Sequence, residues 1–157
     1  MKILIIYDSL YGNTGKVALA VASIFSKSET RVLSVNQVSA SMLKDYSLLI
    51  FASPTHGGRA KEEMSKFIAE LAEADLKGHQ FAVFDTRMAI EKQGWFLKLI
   101  INFFGYAAPK IAQTLQGKGA KLLLPAEGFF VTDKEGPLFD GEINRAKSWA
   151  EIIKNLN

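Results

Sequence analysis

The sequence predicts an α/β domain built on a parallel sheet with helices on both faces, and three features lead to that class. Short apolar runs alternate along the chain with segments of helical periodicity, the pattern of strand–helix–strand units. Most of the strand-like runs are continuously apolar, as strands covered on both faces must be. Several of them end in polar, glycine-containing turns, and in an open α/β sheet ligands lie beyond the carboxyl ends of the strands.

The elements follow in order. The run 2–7 (KILIIY) reads as a buried first strand. At six residues, with no basic region or cleavage site, it does not read as a signal peptide. The turn Asp8-Ser9-Leu10-Tyr11-Gly12-Asn13-Thr14-Gly15-Lys16 leads into an apolar helix over 17–25. Residues 30–35 form a short alternating strand, and 39–45 one or two helical turns. The run 47–52 is a central strand ending in Ser53-Pro54-Thr55-His56-Gly57-Gly58. A helix over about 61–74 carries Met64, Phe67, Ile68 and Leu71 on one face. The fourth strand, 80–84, ends in Asp85-Thr86-Arg87-Met88. A helix through 111–115 is closed by Gly117 and Gly119. Residues 121–124 and 128–131 make a fifth strand interrupted near Pro125. Asp140 caps a last helix whose buried stripe is Ile143, Ala146, Ala150, Ile153 and Leu156. The chain thus reads as one domain over 1–157 with an apolar insertion at about 89–106.

Composition narrows the function. With 157 residues, 48% hydrophobic and 22% charged, the chain can bury a full core and lies outside the disordered regime. Without cysteine, disulfides, thiolate metal sites and cysteine nucleophiles are excluded. A net charge of +3 spread over scattered basic residues gives no nucleic-acid footprint. No window reaches the roughly 18–20 apolar residues of a spanning helix, so the expected setting is the cytoplasm.

Three strand-end loops, 8–15, 53–60 and 85–89, should converge on one edge of the sheet. The first joins backbone N–H groups, two hydroxyls and a helix N-terminus, which together make a seat for phosphate. The other two are placed to grip a flat ring from both sides. Asp8 is expected to bond its own loop amides.

At these loops the sequence resembles the flavodoxin family. Ser9-Leu10-Tyr11-Gly12-Asn13-Thr14 matches its Ser/Thr-x-Thr-Gly-x-Thr phosphate loop, with Tyr11 in place of the central Thr. Ser53-Pro54-Thr55-His56-Gly57-Gly58 and the closing Gly136-Pro137-Leu138, Gly141-Glu142 and Trp149 continue the likeness over nearly the whole chain. The resemblance implies a flavodoxin-like three-layer sandwich with a five-stranded parallel sheet of order 2-1-3-4-5. It also implies non-covalent FMN and electron carriage between redox partners, with no catalytic residue of the protein's own. Ser9 and Thr14, with the amides of Leu10, Tyr11, Gly12, Asn13 and Thr14, would hold the phosphate. Pro54, Thr55, His56, Gly57 and Gly58, with Asp85, Thr86, Arg87 and Met88, would enclose the isoalloxazine. Gly57 would supply the peptide that turns toward the reduced ring, since glycine changes the sign of φ at little cost.

Three points remain specific to this chain. Arg59, Lys61 and Arg87 lie in or beside the ring loops. The flavin is therefore expected to be less reducing than in flavodoxins lined by carboxylates, on the order of tens of millivolts. His56 either contacts the flavin or is a solvated loop residue, and Arg87 either touches the ring edge or caps a strand. The apolar stretch 94–106 either packs as a lid or serves as a docking surface for a redox protein, a second subunit or a membrane face. An FMN-dependent NAD(P)H:quinone-type oxidoreductase is the alternative function.

Overall fold

All the strand runs enter one parallel sheet. In a computed structural model, which describes residues 1–89, 94–95 and 105–156, the order is β1 (Ile3–Tyr7), α1 (Asn13–Ala22), β2 (Thr30–Ser34), a 3₁₀ turn (Val35–Gln37), α2 (Ala40–Leu43) and β3 (Leu48–Pro54). It continues with α3 (Glu62–Glu70), α4 (Glu73–Leu76), β4 (Gln80–Met88), α5 (Ala107–Gly117), β5 (Lys121–Leu122), β6 (Glu127–Val131) and α6 (Glu142–Asn155). The sheet runs β2-β1-β3-β4-β5, and β6 also pairs with β4. β5 and β6 are thus the two halves of the fifth strand, parted around Pro125 as the sequence predicts.

Side-chain alternation along each strand divides the core into two layers. Leu4, Ile6, Leu49, Phe51, Phe81 and Val83 face one layer, where Leu43, Met64, Ile68, Leu76, Ile111 and Leu115 close the core from α2 to α5. Ile3, Ile5, Ile50, Ala82 and Phe84 face the other, against Val17, Ala18 and Val21 of α1 and Ala146, Trp149 and Ile153 of α6. There Phe84, Phe129 and Trp149 meet edge to face, with centroids 5.4–6.2 Å apart. Each such pair adds about 0.5–1.5 kcal/mol beyond its burial.

The outer edge of β6 is covered. Phe130 N donates to Glu142, Arg145 reaches the Gly128 carbonyl and pairs with Glu127 and Glu142, and Thr132 N and Phe139 N close the 132–139 turn back onto the strand. A bare edge would expose those backbone groups to another chain.

Some boundaries differ from the sequence reading. β4 runs on through Asp85, Thr86, Arg87 and Met88, because β6 pairs with every one of them. The helix expected over 61–74 breaks at Leu71, whose ψ of 128° is extended, giving α3 and α4. α6 starts after Gly141 rather than Asp140. Ile143 and Leu156 lie outward, and Trp149 takes their place in the buried stripe. Residues 90–93 and 96–104 of the expected insertion lie outside the described residues, while Trp95 is 79% exposed.

Candidate functional site

β1, β3 and β4 are parallel neighbours, so their carboxyl ends share one edge. An open cleft of about 270 Å³ lies there. Ser9, Leu10, Tyr11, Asn13 and Thr14 line it from the first turn, Pro54, Thr55, His56, Gly57 and Gly58 from the second, and Thr86, Arg87 and Met88 from the third. Of the residues expected at the site, only Gly12 and Asp85 stand off this wall. Lys61, expected beside the ring loops, completes it together with Tyr106, Val131 and Lys134, which were not among the expected site residues. Those three come from separate stretches, and no local motif marks them.

The first turn has the donors that an anion needs. The amides of residues 10–14 have no protein acceptor among the described residues, and they open α1, where the helix dipole favours negative charge. The Ser9 hydroxyl is buried and likewise lacks a partner there. A phosphate would satisfy both, which is the fit expected of a phosphorylated ligand. The Thr14 hydroxyl is differently engaged, 2.8 Å from that of Thr86. That bond ties the first turn to the end of β4. Asn13 Nδ2 donates to the Glu135 carbonyl at 3.0 Å and so brings the 133–136 loop, with Lys134, to the cleft.

The second turn is a two-residue hairpin. His56 N donates to the Arg59 carbonyl at 2.8 Å, and Arg59 N returns to the His56 carbonyl at 3.1 Å. Gly57 and Gly58 both have positive φ, 55° and 75°, the geometry of a type I′ turn. A side chain at both positions would strain it, which is why the pair of glycines sits here.

Asp85 serves the scaffold. Its fully buried carboxylate takes two hydrogen bonds from Arg87, at 2.5 and 2.8 Å, and one from Ala108 N at 2.8 Å. Burial pushes the carboxyl above its ordinary pKa, against the opposing pull of the Arg87 guanidinium. The Thr55 hydroxyl accepts from Ala107 N at 2.9 Å, so two strand ends together cap the start of α5. Arg87 in turn lies over the Tyr106 ring, 3.7 Å from its centroid.

Two of the cations at the cleft, Lys61 and Arg87, are therefore paired. Lys61 pairs with Asp8 at 3.1 Å and Glu63 at 3.5 Å. Burial works against its ammonium, but those carboxylates together hold its pKa above the ordinary lysine value. Even so, Lys61, Arg87 and Lys134 line the cleft, and no carboxylate does so among the described residues. Each ion pair presents its positive end to the ligand.

The flavodoxin family model matches residues 5–149. The chain belongs to the flavodoxin family. A flavodoxin from Clostridium saccharobutylicum is 32% identical over 93 residues, 57% of this chain. That match spans only 58% of the relative's length. Among solved structures, the chain resembles oxidised flavodoxin 1 from Bacillus cereus at a TM-score of 0.75, with 21% identity and 100% of each chain covered. It also resembles a Fusobacterium nucleatum flavodoxin bound to flavin mononucleotide at a TM-score of 0.68, with 17% identity, 98% of this chain and 97% of that one. The two solved structures share the fold described above.

Proposed function

We propose that this flavodoxin-family chain binds FMN non-covalently and carries electrons between redox proteins. The observation that carries the reading is the first turn of the cleft. A buried serine hydroxyl and five backbone amides, all without acceptors among the described residues, stand where a helix begins. Family membership supports FMN as the ligand that seats its phosphate there. Bound flavin supplies reversible electron storage, and the protein supplies orientation and electrostatics. Ser9 and the amides of residues 10–14 bind the phosphate. The glycine hairpin and Thr86, Arg87, Met88 and Tyr106 flank the ring. Lys61, Arg87 and Lys134 offset the negative charge that reduction adds.

Residues 1–157 act in this reading as one flavin-binding domain, working in the cytoplasm. No helix among the described residues is long and apolar enough to cross a membrane. The stretch 94–106 is the contact surface for a redox partner. Exposed Trp95 at one end and cleft-lining Tyr106 at the other support that role.

The test is direct. The purified chain should be yellow and, on heat denaturation, release one FMN per polypeptide, identified by chromatography against FMN, FAD and riboflavin. A colourless chain that acquires no flavin spectrum with excess FMN rules the proposal out. Reduction by NADPH alone, without a reductase, would move the reading to the quinone-reductase alternative.

A further inference from the structure

We infer that Lys110 is a positioning residue: from the first turn of α5 its ammonium clamps the glycine hairpin 56–59 and thereby sets how differently the cleft holds oxidised and reduced FMN. The inference rests on the FMN reading above. Lys110 Nζ donates to the Gly58 carbonyl at 2.7 Å. The helix it stands on is fixed to the same strand ends, through Ala107 N on Thr55 and Ala108 N on Asp85. A lysine on a fixed base therefore reaches a turn that has no side chain of its own at either central position.

Counting hydrogen bonds in that turn isolates one peptide unit. The amide and carbonyl of His56 pair with Arg59, and the Gly58 carbonyl pairs with Lys110. Besides the Gly57 amide, what remains is the Gly57 carbonyl and the Gly58 amide, neither with a partner among the described residues. They are the two ends of one peptide. With the peptides on either side held, this one rotates alone, and glycine on each side accepts either sign of φ. Rotation exchanges an acceptor for a donor at the cleft wall. The central ring of oxidised isoalloxazine has one acceptor nitrogen, N5, and uptake of an electron with a proton turns it into an N–H donor. The peptide's two orientations thus match the two oxidation states. Lys110 confines the rearrangement to that peptide, so little further ordering opposes the carbonyl-inward contact.

The experiment uses the full chain. Oxidised FMN affinity is measured by fluorescence quenching and the midpoint potential by spectroelectrochemistry, which together give the ratio of reduced to oxidised affinity. Lys110→Met should lower that ratio at least fivefold, and Lys110→Arg should stay within twofold of wild type. In the FMN-free protein, exchange of the Arg59 amide should accelerate at least tenfold in Lys110→Met. A lower melting temperature with an unchanged ratio would reduce Lys110 to a structural role and overturn the inference. A double-mutant cycle separates clamp from charge. The Lys110→Met effect should shrink in a Gly57→Asn background, where the peptide is no longer free, whereas full additivity would assign it to charge alone and overturn the clamp. A wild-type chain that binds no FMN overturns the functional reading, and this inference with it. Unaltered Arg59 exchange overturns the clamp while leaving that reading intact.

Discussion

Ser9 carries the first test at the level of single residues. Its hydroxyl is buried without a partner among the described residues, so a bound phosphate supplies the missing acceptor for a charge-assisted bond. Ser9→Ala should weaken FMN by about 1.5–3 kcal/mol, roughly 10- to 150-fold, measured by fluorescence quenching. Melting of the FMN-free protein should be unchanged within about 1 °C, since no bond in that state is lost. Gly128 is the second. A Cβ there would fall inside the Arg87 guanidinium, which packs on β6 where the side chain is missing. Gly128→Ala should displace Arg87 and leave the buried Asp85 carboxylate without its cation. The expected cost is about 3–5 kcal/mol in urea unfolding. A loss below about 1 kcal/mol would mean that Arg87 relocates freely and that the pair does not hold the site. The sequence showed Asp85 and Arg87 as a polar strand end, and from there both looked like ring contacts. Only the register of β4 against β6, which sets Asp85 opposite Gly128, turns them toward each other.

Elements were legible where periodicity speaks and illegible where distant groups decide. The buried runs of β1 and β3 and the split of the fifth strand at Pro125 follow from hydrophobicity and the missing proline N–H. The extension of β4 does not, because Asp85-Thr86-Arg87 reads as a loop until the Glu127–Val131 strand pairs with it. The end of α3 is a similar case. Lys118, on the turn after α5, donates to the carbonyls of Ile68, Ala69 and Leu71, the first two at 2.9 Å. It satisfies the unpaired end of a helix some fifty residues earlier in the chain. Lys118→Met should therefore destabilise the fold by about 1–2 kcal/mol in chemical unfolding. Flavin affinity should stay put, because Lys118 is remote from the cleft wall.

For the whole molecule, the question is what the balance of charge does to the flavin. Arg59, Lys61 and Arg87 suggest a set of free cations in the sequence, but the structure pairs Lys61 and Arg87 with Asp8 and Asp85. What survives is orientation: cations on the cleft wall, their carboxylates behind it. The potential should still lie above that of a carboxylate-lined flavodoxin, by tens of millivolts, at about 59 mV per 1.4 kcal/mol for one electron. Lys61→Met should lower it by a similar amount in a redox titration, and no change would assign the cleft's potential to other groups. The phosphate seat underlies the expectations for flavin binding. The most direct measurement is calorimetric titration of the FMN-free chain with FMN and, separately, with riboflavin, which lacks the phosphate. FMN should bind at one per chain and at least a hundredfold more tightly than riboflavin. Equal affinities, or no heat with either, would mean that the first turn does not seat a phosphate.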